Sequence, residues 1–139
     1  MPRYFRWIYF GWLALTVAAI VLQFYLAGYG VFGFNGLNSF GAHFVVGDLI
    51  GLASIVGIGL AFAAREPWRT TGLNGLFFVL MVIQATLAHT GVQVISALHV
   101  VNGVLIFALV GYLTRLAYVY AKEEPTPTAA AAVSTSTRT

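Results

Sequence analysis

Cysteine is absent from the chain, which excludes disulfides, thiolate metal sites and covalently attached haem. Charge is scarce as well: 8% of 139 residues are charged, four of them acidic and seven basic. A soluble domain of this size needs far more charge on its surface, whereas lipid-facing helices need almost none. The charge that exists is also placed unevenly. Arg3 and Arg6 precede the first apolar run, Arg65, Glu66 and Arg69 lie between the second and third, Arg115 and Lys122 close the fourth, and Arg138 is in the tail. The segments around 29–42 and 91–93 carry no charged side chain. Basic residues stay on the cytoplasmic side of a membrane, so both termini are expected inside and both neutral loops outside. Scattered in ones and twos, these residues make no basic patch, and no nucleic-acid partner is expected. Nor does the chain carry a nucleophile–base arrangement or a phosphate loop, so an autonomous hydrolase or kinase is not expected.

Apolar residues make up 60% of the chain. A crossing of the hydrocarbon core takes roughly 20 mostly apolar residues, and four such stretches run over about 8–28, 43–64, 73–90 and 94–120. They predict one all-α domain over 1–122, an integral membrane four-helix bundle. Residues 123–139 continue as Glu-Glu-Pro-Thr-Pro-Thr and then Ala, Ser and Thr without period, the composition of a disordered tail. The basic flank Met1–Arg6 precedes an apolar run too long for a secretory signal core. Helix 1 therefore reads as a retained anchor, in a bacterial plasma membrane, with the lipid bilayer as the chain's first partner. Tyr4, Phe5, Trp7, Tyr9 and Trp12, matched by Trp68, Tyr118 and Tyr120, are expected as headgroup-level anchors. The loop Gly30–Ser39 is expected over the outer mouth of the bundle, and Glu66–Gly72 as a short inner turn.

The chain repeats itself. The second stretch opens His43-Phe44-Val45-Val46-Gly47-Asp48-Leu49-Ile50 and the fourth opens His99-Val100-Val101-Asn102-Gly103-Val104-Leu105-Ile106. The first and third agree in Gln23-Phe24-Tyr25-Leu26-Ala27 against Gln84-Ala85-Thr86-Leu87-Ala88. Coincident Val and Leu mean little between apolar segments; coincident His, Gln and Gly mean more. The pattern predicts two helical hairpins of parallel topology, related by an axis along the membrane normal. Short connections would place helices 2 and 4 on the bundle diagonal, with His43 and His99 facing each other at one depth. Two opposed imidazoles are what a haem b iron needs as axial ligands. Gly47 and Gly103, four residues on and so on the same face, would leave a slot for the flat macrocycle. Ile50 and Ile106 continue an apolar wall below. Propionates would point outward to water, backbone, Asn35, Asn38, Thr90, Gln93 or His89.

Gln23, Gln84 and Asn102 complete the expected cofactor-binding set, the two glutamines as interhelical hydrogen-bonding groups. The structural alternative is that the histidines bond to neighbours and the glycines serve close packing, Gly47-x-x-x-Gly51 being of that type. His89 ends helix 3 without a counterpart in the repeat, since Gly28 occupies the matching place. It reads as an interfacial residue, a propionate partner or a third metal ligand. Asp48 is an acid inside a span and so a functional candidate. Five residues turn it about 140° from His43, which predicts that it stays off the haem face.

Gln84-Ala85-Thr86-Leu87-Ala88 followed by Leu98-His99 resembles one half of heme A synthase, and Gln23 with His43 echoes it. That resemblance implies haem between paired histidines, carried over to His43 and His99 alone. The second histidine pair and the acidic outer-loop residue of that family are missing here, which puts heme A synthesis itself in doubt. Over roughly residues 17–115 the chain also resembles small uncharacterised bacterial four-helix membrane proteins. These read Gln-x-x-Leu-Ala-Gly, then Ala-His-x-x-x-Gly, then Leu-His-x-x-Asn, a resemblance that implies no activity. The leading expectation is a bis-histidine haem b protein for electron transfer or haem holding, its histidine end outward, rather than an autonomous enzyme. It would serve a redox partner of unknown identity and could self-associate as a homo-oligomer. The competing expectations are a zinc or copper site from His43, His89 and His99, and a structural or assembly subunit of a membrane complex.

Overall fold

The backbone of an apolar chain in lipid must satisfy its own N–H and C=O groups, and helices do so within each segment. The computed structural model describes residues 2–33 and 40–123. Asn35, Asn38 and the tail from 124 onward lie outside the described residues. Four helices follow in order: α1 (Pro2–Phe32), α2 (Gly41–Ala63), α3 (Trp68–Ala88) and α4 (Gln93–Lys122). Their 31, 23, 21 and 30 residues make them long and apolar enough to cross a membrane, at 1.5 Å per residue against a hydrocarbon core of about 30 Å.

α1 starts at Pro2 rather than near residue 8. The polar residues before Trp7 leave the hydrocarbon, but nothing in them breaks the hydrogen-bond ladder. α3 likewise starts at Trp68 rather than near 73, directly after Pro67, whose extended backbone (φ −53°, ψ 146°) caps it. The inner turn is therefore only residues 64–67. It is closed by a Schellman arrangement, with Arg65 N–H donating to Phe62 O and Glu66 N–H to Ala61 O, each at 3.0 Å. Arg65 occupies the left-handed position of that turn, at φ 55°.

α1 packs on α2 and α4, and α3 packs on the same two, so α2 and α4 face each other across the axis. The solid core fills the half nearer the α2–α3 turn, around Leu13, Phe77, Val110, Leu113 and Ala117, all essentially inaccessible. Large apolar side chains such as Leu15, Val21, Ile55, Phe62, Val79 and Val82 point outward, as lipid-facing positions require. Two aromatics expected at the headgroups are instead inside. Tyr9 is fully buried, with Asn74 Nδ2 donating to its hydroxyl at 2.6 Å, and Trp12 Nε1 donates to Ala53 O at 3.0 Å. Their positions face α2 and α3, and a buried Tyr or Trp must find a polar partner. Tyr4, Trp7, Trp68 and Tyr118 are exposed as anchors should be.

Candidate functional site

The other half of the bundle, nearer the α3–α4 turn, is not solid. A cavity of about 640 Å³ lies there, within the roughly 300–1,000 Å³ usual for cofactor and ligand sites. Ile20, Ile50 and Ile106, all buried, form its floor. His43, Gly47, Gln23, Gln84, His99 and Gly103 also line it.

His43 and His99 stand with ring centroids 6.0 Å apart and planes inclined by 54°. Each ring is held in the same way. Nδ1 of His43 lies 3.2 Å from the main-chain oxygen of Gln23 on α1, and Nδ1 of His99 lies 3.0 Å from that of Gln84 on α3. A neutral imidazole meets a carbonyl only as donor, so Nδ1 carries the hydrogen and Nε2 the lone pair. His99 Nε2 is 3.1 Å from the Gln84 amide nitrogen, which therefore donates to it. No hydrogen bond of this kind reaches Nε2 of His43 among the described residues. Asn102 Nδ2 donates to Gln84 Oε1 at 2.7 Å and to Leu80 O at 2.9 Å, so Asn102 positions the glutamine and is turned away from the cavity. Gln23 Nε2 donates to His43 O at 2.7 Å, while Gln23 Oε1 is buried without a partner. The two glutamines thus do bond between helices.

The two cavity-lining glycines also make room for the glutamines. A Cβ on Gly47 would stand 2.8 Å from Gln23 Nε2, and one on Gly103 would stand 3.3 Å from Gln84 Nε2. The room they leave is taken by the glutamine amides that hold the histidine-bearing helices. Asp48 also departs from expectation, since it lines the cavity. The cavity extends past the histidine face toward α3, where the facing residues Gly51 and Ala85 are small. His89 is exposed at the α3 C-cap, its Nδ1 2.7 Å from Ala85 O and its ring 6.1 Å from that of Phe44. It lines the cavity without joining the pair. Among the described residues no group of three His, Asp or Glu side chains is placed to hold a metal ion, so the three-histidine zinc or copper site has no geometry behind it.

Sequence reasoning missed a second polar cluster, at the opposite end. Glu66 is 9% exposed, and neither of its carboxylate oxygens has a hydrogen-bond partner. Burial pushes its carboxyl up to about 7; the nearby Arg6 opposes that shift and Glu123 adds to it. Arg6 Nη1 donates to Tyr120 O at 3.0 Å, tying the start of α1 to the end of α4. The only signal in the sequence was an acid placed among basic residues.

No curated protein and no solved structure matches the chain. Residues 23–91, which hold Gln23, His43, Gly47, Asp48, Gln84 and His89 but not His99, are similar to a family of unknown function, DUF6220.

Proposed function

We propose that the chain is a haem b-binding membrane protein with His43 and His99 as axial ligands. The observation that carries this reading is the pair of imidazoles over an apolar cavity, each oriented by a carbonyl at Nδ1. A carbonyl bonded to Nδ1 fixes the tautomer and leaves Nε2 as the nitrogen that would ligate a metal. Metal–imidazole bonds run to about 2 Å and the ring centre lies about 1 Å further back. Two imidazoles that held one metal ion between them would stand roughly 6 Å apart, and the rings here are 6.0 Å apart, with His99 Nε2 turned to the Gln84 amide. His99 would hold the metal through the Nε2 that accepts from the Gln84 amide, with Gln84 Oε1 still bonded by Asn102.

Three sequence features support the same reading: the His-x-x-x-Gly and Gln-x-x-Leu-Ala repeat, the partial likeness to heme A synthase, and the one-sided basic residues. The last would put the histidine end at the outer face of a bacterial plasma membrane. No Lys or Arg lines the cavity, so propionates would face the outer water near Thr90 and Ser96. Haem supplies one-electron chemistry when bound, and two histidine ligands leave its iron no open position. Electron transfer or haem holding therefore suits the site better than oxygen chemistry.

A visible spectrum of detergent-purified protein tests this. The expected result is a Soret band with a sharp reduced α-band, lost in His43→Ala and in His99→Ala. Protein that stays colourless after reconstitution with hemin overturns the proposal.

A further inference from the structure

The four helices enclose the cavity with two unlike seams. Between α1 and α4, Phe24 and Phe107 pack edge to face with centroids 5.9 Å apart, and Phe24 Cε1 comes within 3.8 Å of where a Gly103 Cβ would be. That seam is shut at this depth. In the His43/His99 and Gln23/Gln84 registers, Phe107 corresponds to Gly51 and Phe24 to Ala85. The seam between α2 and α3 therefore lacks both rings. A Cβ on Gly51 would only just reach Met81 Cε, at 4.0 Å. Phe44, Asp48, Ala85 and His89 all line the cavity while exposed at the bundle surface.

Asp48 lies seven residues into α2, about 10 Å along the helix from its outer end. An exposed acid at that depth meets lipid, an expensive place for a carboxylate. Among the described residues it has no hydrogen-bond or ion-pair partner. Val104 stands at the corresponding place on α4, so the acid belongs to this seam alone. The cavity presents no cation to a carboxylate or phosphate ligand, whereas Asp48 presents an acceptor to a donor. Phe44 and His89, with centroids 6.1 Å apart and planes inclined by 35°, span the seam toward its outer end and offer aromatic faces.

We propose that the α2–α3 seam is a lateral window through which the cavity takes a bilayer-dissolved, planar hydroxylated ring of the quinol class, whose O–H donates to Asp48. The site rests on the same cavity that haem would occupy, so the quinol is bound by haem-free protein and haem would exclude it.

The test uses the full chain in phosphatidylcholine nanodiscs with decyl-ubiquinol and its quinone, bound ligand being measured against protein-free discs and haem content read from the same samples. The two probes share ring and tail, but the quinone lacks O–H donors. A hydrogen bond to a charged group corresponds to roughly tenfold or more in affinity. The quinol should bind saturably and at least about tenfold tighter than the quinone. Asp48→Asn should bring the quinol down to the quinone's affinity, and Gly51→Phe or Ala85→Leu should weaken both ligands, while Val104→Ala changes neither. Equal binding of quinol and quinone overturns the proposal, as does quinol binding unchanged in Asp48→Asn or in both window-filling variants. Colourless protein that discriminates quinol from quinone in this way retains the window and loses the haem; haem-free protein that does not discriminate, yet takes up hemin, does the reverse.

Discussion

Replacing Glu66 by glutamine should make the protein more stable above neutral pH. The carboxyl is buried at the end of α2 with both oxygens unpartnered, and burial raises it from an ordinary value of 4.5 to about 7. Between those two values the folded chain holds a proton that the unfolded chain has released. Stability contributed by this group is then complete below pH 4.5, falls as pH rises, and levels off above about 7. Each pH unit of that interval is worth about 1.4 kcal/mol at most. Over the whole interval the ionised carboxylate costs about 3 kcal/mol at pH 8. Glutamine keeps the shape and cannot ionise. Other groups titrate over the same range, so the difference between the variant and the parent is the quantity to follow. Thermal unfolding in detergent micelles, monitored by far-ultraviolet circular dichroism from pH 4.5 to 8.5, should show the two proteins within about 0.5 kcal/mol at the acid end. The variant should lead by about 3 kcal/mol at the alkaline end. A lead that does not change with pH refutes the reasoning. So does a variant less stable than the parent at pH 8, which would mean that Glu66 is ionised and held by Arg6.

The left-handed Arg65 offers a second change: Arg65→Gly should raise stability by about 1 kcal/mol, because an L-residue with a side chain costs about 1–2 kcal/mol in that conformation, and a melt of the variant checks it. Tyr9→Phe should cost about 1–3 kcal/mol by leaving a buried Asn74 donor without its acceptor. Combined with Asn74→Leu it should cost less than the sum of the two, as a double-mutant cycle would show. Alanine at the two equivalent glycines should act unequally. Helix propensity favours alanine by about 1 kcal/mol at both, but at Gly47 the new Cβ displaces the amide bonded to His43 O, whereas at Gly103 Gln84 must give only slightly. In the same melts Gly47→Ala should therefore be less stable than Gly103→Ala by about 0.5–1.5 kcal/mol. His99→Ala should abolish the Soret band, while Gln84→Ala should retain it, read in the same visible spectra, because the carbonyl that orients Nδ1 of His99 is main-chain and survives the substitution.

The sequence by itself determined that there are four apolar helices joined by short turns. Charge is too rare to cover a water-facing surface, and apolar stretches of about 20 residues have one way to satisfy their backbone in lipid. It also singled out His43 and His99, because histidine, glutamine and glycine recurring in register are uncommon amid valine and leucine. Tertiary structure decided what those residues touch. Helical period assigns each residue a direction but not the size of what it meets. Asp48, turned well away from His43, still lines the cavity because Gly51 and Ala85 leave the neighbouring seam wide. The room at Gly47 and Gly103 went to glutamine amides from the preceding helices, a use that spacing along one helix cannot reveal. Tyr9 and Trp12 lie in an aromatic run that reads as an interfacial belt, yet their positions on α1 turn them onto Asn74 and Ala53. Glu66 became a buried acid because the helix ends at the α2–α3 turn close around it, and nothing local in its sequence distinguishes it from a solvated charge in a turn.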